Sequence, residues 1–173
     1  RYNLYEPEIR AHLFVSPLRN ANRFEFLIEK AVELGVFEIN PVVSKFTVQK
    51  STFSETKLER FRKIVISAMG QSQRCYLPKI NNTISFRELI RITKEYNNKI
   101  VYYEDDYETK NVISDSNISN DICIFIGPEG GFDKSEIDLL VNDNWKVKSL
   151  GNRKLRAETA AIISVFENIS KHK

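Results

Sequence analysis

The chain has 173 residues, with 26 lysines and arginines against 23 aspartates and glutamates, a formal net charge of +3. At 42% hydrophobic and 28% charged, with six glycines and five prolines, it has the composition of one ordinary globular domain with its own core, which excludes a low-complexity chain. No apolar run approaches the ~18 residues that cross a bilayer and no charged-apolar-small leader precedes the domain, so no membrane association is expected and the expected location is cytoplasmic.

Taken in order, the elements alternate strand with helix. RAHLFVSP (10–17) reads as a strand closed by Pro17. RFEFLIEKAVELG (23–35) puts Phe24, Leu27, Ile28, Ala31 and Val32 on one helical face, with Gly35 as the left-handed stop. VFEINPVVS (36–44) is a second strand, in which Pro41 points to an edge or a bend. A long helix covers 55–73, with Leu58, Phe61, Val65 and Ala68 inward, and CYLPKI (75–80) is a short extended piece. Ser85 and Glu88 have capping-box spacing, which predicts a helix over 86–96. KIVYYE (99–104) and ICIFI (122–126) are strands, separated by a polar loop at 105–120. Asp133 and Glu136 repeat the capping spacing ahead of a helix from Lys134 to before Asn144. WKVKSL (145–150) is the last strand, and AETAAIISVFENI (157–169) a helix with Ile162, Val165, Phe166 and Ile169 inward. This alternation implies a mostly parallel sheet covered on both faces.

The cysteines, Cys75 and Cys123, both fall in apolar strand-like runs and read as two buried thiols rather than a disulfide framework. With only His12 and His172, and His172 read as a solvated tail residue, there is little room for a histidine-based metal site or a Ser-His-Asp triad, and no metal is expected. EDDYE (104–108) reads as an acidic solvated loop rather than a cation site. The mild positive charge permits an RNA-binding patch without requiring one. The first residue is Arg1 rather than methionine, so the chain reads as a fragment.

Two successive strands end abruptly in glycine, at Ile126-Gly127 and Leu150-Gly151, and each is followed by a loop and a helix. Parallel strands carry ligands at their carboxyl ends, so GPEGGFD and GNRKLRAETA are expected to be neighbours at one sheet edge. No side-chain cap stands before the helix at 157. Its first amides are therefore either open to an anionic group or capped by water or Glu158. Phosphate-loop, dinucleotide and nucleophile-elbow motifs are absent from the sequence.

IGPEGGFDKSEI with SLGNRKLRAETAAI closely resembles the two C-terminal signatures of the RsmE family, SPOUT-class enzymes that methylate N3 of a uridine in small-subunit (16S) ribosomal RNA. RFEFLIEKAVELGVFEINPVVS and AMGQSQRCYLPKI resemble further family segments, the latter at Gln71, Ser72, Arg74 and Pro78. The resemblance implies an α/β, SPOUT-type, mostly parallel sheet flanked by helices, with a C-terminal trefoil knot. It also implies S-adenosylmethionine as methyl donor, ribosomal RNA or the small ribosomal subunit as partner, and a homodimer. Residues 1–9 would be a remnant or linker from a PUA-like N-terminal domain, and 10–173 the methyltransferase domain. Where the family usually has Ser-Glu-Arg-Ser, this chain has Ser44-Lys45-Phe46-Thr47, and Asn20 stands where many members carry lysine.

The two loops, read with the methyl-transfer chemistry that the resemblance implies, supply the candidate residues. Donor binding falls to Ile126, Gly127, Glu129, Gly130, Gly131, Leu150, Gly151, Leu155, Arg156, Glu158, Thr159 and Ala160. Glycines let backbone approach a ligand, and Leu150 and Leu155 offer apolar contact to an adenine. Uridine N3 carries a proton at neutral pH, and a cation beside the uracil carbonyls favours its loss, a role assigned to Arg156, at the mouth of the second loop, with Arg153 in reserve; for either, a phosphate or carboxylate contact without a catalytic role stays open. Arg19, Arg23 and Arg74, then Arg87 and Arg91, are the candidates for RNA phosphate contact. Two alternatives stay open: a SPOUT enzyme acting on another RNA or on a ribose 2′-hydroxyl, and a non-catalytic RNA-binding assembly factor.

Overall fold

The structure is a computed structural model that describes residues 6–104 and 120–170. Twelve elements follow one another among those residues. They are β1 (Arg10–Val15), α1 (Ala21–Glu33), β2 (Glu38–Val43), α2 (Glu55–Gln71), β3 (Lys79–Ile80), β4 (Ile84–Ser85), α3 (Phe86–Ile92), β5 (Lys99–Tyr102), β6 (Asp121–Ile126), α4 (Lys134–Asn142), β7 (Lys146–Lys148) and α5 (Ala157–Ser170). The strands form one seven-stranded sheet in the order β3-β2-β1-β6-β5-β7, with β4 also on β2, and each pairing is parallel.

Strand alternation sorts the core into two layers. Ala11, Leu13 and Val15 of β1, and Ile122, Ile124 and Ile126 of β6, pack with α1, α2 and α5 on one face. Phe14, Val101, Cys123 and Phe125 point the other way, onto Leu89 of α3 and Ile137 and Leu140 of α4. The sheet is thus covered on both faces, as the strand–helix alternation requires. Both predicted capping boxes form, at Ser85/Glu88 and Asp133/Glu136.

Several expectations are corrected. The extended piece at 75–80 shrinks to β3, and the two-residue β4, too short for any periodicity, carries the pairing on along β2. Pro41 is not on the edge strand. The carbonyl of Ile39 accepts from the Asn81 amide on the outer side, so two residues on Pro41 faces that side too, in the gap between β3 and β4. The missing N–H falls where the ladder is interrupted. Of the two thiols, Cys123 is buried but Cys75 is exposed and outside any strand. In α5 the inward stripe runs through Ala161, Ser164, Val165, Asn168 and Ile169, whereas Phe166 is 57% exposed. A stripe with polar members is invisible to hydrophobic periodicity.

Residues 6–9 pack on the body. Glu6 accepts from Arg74 and from the amides of Cys75 and Tyr76, and Ile9 joins the core. The acidic run beyond Glu104, Arg1 and His172 lie outside the described residues. No described helix is long and apolar enough to cross a membrane.

Candidate active site

Parallel pairing brings the carboxyl ends of β1, β6, β5 and β7 to one edge of the sheet. A cleft of about 630 Å³ opens there, in the size range of small-molecule sites. Both glycine loops line it, as the topological argument required. They are joined by the end of β5, through Tyr102, Tyr103 and Glu104, and by the start of α1, through Asn20 and Arg23.

The first loop turns at Pro128–Gly131, closed by the Gly131 amide donating to the Pro128 carbonyl at 2.9 Å. Gly131 has φ +74°. Gly127 is there for another reason: a Cβ added to it would stand 2.7 Å from the Phe132 ring, which folds back under the strand end and meets Phe125 edge-on at 4.9 Å. Gly130 faces away from the cleft, towards Phe46. The loop is anchored at its far end. Asp133 caps α4, and the Lys45 ammonium bonds it at 2.7 Å while the Lys45 amide donates to Glu136. The Lys45 bond, with those from Ser135, holds the Asp133 carboxyl down at about 2. The Ser44–Thr47 stretch that departs from the resembled pattern thus acts as a brace, with Ser44 and Thr47 buried and bonded to each other.

In the second loop Gly151 has φ +99° with open space where a Cβ would be, and its amide donates to the Ser149 hydroxyl. Leu150 and Leu155 offer apolar surface to the cleft, together with Ile126 and Pro128. Arg153 and Arg156 are exposed and line it, and Lys154 reaches Glu104 at 3.3 Å across the mouth. At the start of α5 the Glu158 carboxylate is buried and taken by Arg23. That bond holds its pKa below the ordinary value, against the opposing effect of burial.

Of the candidate donor residues, Ile126, Gly127, Glu129, Gly131, Leu150, Gly151, Leu155, Arg156 and Ala160 line the cleft. Gly130, Glu158 and Thr159 are not part of that lining. The arginines proposed for phosphate separate. Arg19 is exposed and outside the cleft lining, with its amide donating to Glu129. Arg23 is committed to two carboxylates. Arg74 is buried, with its guanidinium on Glu6 and on the carbonyls of Val32 and Val36, so it is a structural strut and not a phosphate ligand. Arg87 and Arg91 are exposed on α3 and do not line the cleft. Asn20 caps α1, accepting from the amides of Asn22 and Arg23.

Sequence reasoning missed Tyr102, Tyr103 and Glu104. The signal was available, since the strand-end rule that located the glycine loops applies equally to β5. In the sequence Glu104 reads as part of an acidic solvated loop, whereas in the structure it lines the cleft. Tyr102 donates to Glu167 and accepts from Asn168, which fixes the cleft floor to α5. Among the described residues, no group of three or more histidines, cysteines and carboxylates could hold a metal ion.

Comparison with known proteins places this geometry. The profile of the RNA methyltransferase domain family matches residues 5–166. The ribosomal RNA small subunit methyltransferase E of Mesomycoplasma hyopneumoniae is 40% identical over 158 residues, covering 91% of this chain and 68% of its own length. The protein of the same name from Rickettsia conorii is 37% identical over 144 residues, 81% of this chain and 56% of its own length. The chain therefore spans from just over half to about two thirds of these relatives. Ribosomal RNA small subunit methyltransferase E of Neisseria gonorrhoeae, solved with S-adenosyl methionine bound, superposes with a TM-score of 0.84 at 28% identity, over 96% of this chain and 68% of that one. A Legionella pneumophila protein solved with the same cofactor gives 0.75 at 27% identity, over 93% and 66%. The chain belongs to the RNA methyltransferase domain family, among the ribosomal RNA small subunit methyltransferase E proteins.

Proposed function

We propose that this domain transfers a methyl group from S-adenosylmethionine to N3 of a uridine in small-subunit ribosomal RNA. The observation that carries the reading is the convergence of the two glycine loops on one cleft of about 630 Å³ at the carboxyl edge of a parallel sheet. Similar proteins solved with that donor support it.

The residues present suit the donor. Ile126, Pro128, Leu150 and Leu155 form an apolar slot for a flat base. The turns at Gly131 and Gly151 leave backbone unshielded beside it. Glu104 at the mouth offers an acceptor for hydroxyl or ammonium groups. S-adenosylmethionine bound there supplies an activated methyl group. The protein's share is alignment and exclusion of water, to which the floor formed by Tyr102 and Phe132 contributes. Arg156 and Arg153, exposed on the cleft wall, are placed to stabilise the anion that forms when uridine N3 gives up its proton. With Lys154 they give the cleft a cationic side suited to RNA phosphates.

We infer a C-terminal trefoil knot, a reading supported by the chain's return from β7, at the sheet edge, to α5, which packs on β1, β6 and α1 at the centre. We place the protein in the cytoplasm, where its substrate is. We also assign it a homodimeric state, supported by the apolar surface of the packed pair α1 and α5, where Phe26, Ile163 and Phe166 are 40–57% exposed. Labelled donor and small ribosomal subunits, followed by mapping of the modified nucleotide, test the reaction. Methyl at uridine N3 is expected, and methyl on a ribose hydroxyl or no transfer overturns it. Arg156→Lys should slow transfer at saturating RNA, because a point charge does not replace a planar fork. An unchanged rate removes Arg156 from the chemistry.

A further inference from the structure

Arg23 stands where a cation is least favoured. It lies in the first turn of α1, at the positive end of the helix dipole, and no acidic residue shares that turn. Its placement is explained by what it reaches. Nε and Nη2 fork onto the two oxygens of Glu158 at 2.7 and 2.5 Å, and Nη1 bonds Glu129 at 2.5 Å. Glu129 is the one charged side chain inside the Pro128–Gly131 turn, and Glu158 opens α5 directly after the second glycine loop. Glu158 is 7% exposed, and a carboxylate so buried needs a fixed partner. The second oxygen of Glu129 accepts the Arg19 amide at 3.3 Å, which adds another tie to the chain just before α1. One guanidinium therefore joins both loops of the cleft to a third element, while lining the cleft itself.

We propose that Arg23 is a positioning residue that fixes the two donor loops at their binding separation, rather than a phosphate ligand. The inference rests on the donor-binding reading above. Glu129 and Glu158 then serve as anchor points for the loops, and the planar fork is needed because a lysine ammonium cannot hold both oxygens of Glu158 and also reach Glu129.

The test compares Arg23→Gln, Arg23→Lys, Glu158→Gln and the Arg23→Gln/Glu158→Gln pair, with Arg60→Gln as control. Arg60 pairs with Glu25 on the surface, away from the cleft lining. Three quantities are measured: S-adenosylmethionine affinity by calorimetry, amide exchange at 128–131 and 151–158 in the free chain, and KM and kcat with ribosomal subunits. Arg23→Gln should weaken the donor about tenfold and raise exchange in both loops, with the KM for RNA within about twofold. Arg23→Lys should fall between, the pair should lose less than the sum of its members, and Arg60→Gln should match wild type. Unchanged donor affinity with a raised KM for RNA makes Arg23 a phosphate contact and overturns the proposal. So does a lower melting temperature with unchanged loop exchange and donor affinity. If the wild-type chain itself binds no donor, the donor reading fails, and loop exchange in the free chain still decides whether Arg23 ties the loops.

Discussion

Gly127→Ala isolates one packing relation at the base of the cleft. Gly127 is not among the glycines with positive φ, so alanine meets no backbone penalty there. Its methyl would lie 2.7 Å from one Phe132 ring carbon and 2.9 Å from two others, against an ordinary contact of 3.4 Å or more. The ring would have to retreat by about 0.7 Å, the difference between the ordinary contact and 2.7 Å. Phe132 is 8% exposed and held edge-on by Phe125, so the shift propagates into the α4 face of the core. Overpacking of this kind costs about 2 kcal/mol, which for a chain of this size lowers Tm by roughly 4–8 °C. Donor affinity should fall as well, because the displaced ring lines the cleft. Thermal unfolding followed by circular dichroism and donor titration by calorimetry measure the two effects. Phe132→Leu makes room, so the double variant should lose less than the sum of the single losses. A Gly127→Ala protein that melts within about a degree of wild type and binds donor equally well would show that Phe132 yields without cost.

Other expectations follow from the same structure. Gly151→Ala meets no neighbour but must hold φ +99°, a strain of about 1–3 kcal/mol; calorimetry should show weakened donor binding, and unchanged affinity would contradict the role given to that turn. His12 is buried with both ring nitrogens on carboxylates, Glu38 at 2.8 Å and Asp121 at 2.9 Å. Burial opposes its protonation, but the bonds and charges of the two carboxylates prevail and raise its pKa, while theirs are lowered. His12 therefore contributes fully below its unfolded pKa of about 6.5, and that contribution is lost as pH rises through the higher folded value. The carboxylate contribution is lost as pH falls through their depressed values. Stability should thus peak between the two ranges, and His12→Gln should flatten the alkaline side of a Tm–pH profile; an unaltered alkaline limb would count against the clamp. Arg74→Gln should lower stability by about 3–5 kcal/mol, the cost of breaking a buried ion pair, with RNA affinity of the folded protein unchanged. Lost RNA binding at unchanged Tm would restore Arg74 as a phosphate contact.

The sequence was legible where local chemistry and topology point the same way. The two capping boxes, the apolar stripes of α1 and α2, and the pairing of the glycine loops at one edge all needed only spacing and the parallel rule. What stayed hidden was long-range. Arg74 and Arg23 look like surface cations in the sequence, because Glu6, Glu129 and Glu158, which neutralise them, lie 68, 106 and 135 residues away. Gly127 looked like room for a ligand, and only the fold reveals that Phe132 occupies the space. α5 misled because its inward face includes Ser164 and Asn168, polar residues satisfied by helix carbonyls and by Tyr102, while Phe166 points outward.

In the proposed mechanism the two glycine loops form one donor pocket. Isothermal calorimetry of this chain with S-adenosylmethionine, set beside Gly151→Ala, addresses it most directly. Saturable binding at a single site, weakened in the variant, is expected. Absence of binding at millimolar donor, or equal binding by both proteins, would contradict it.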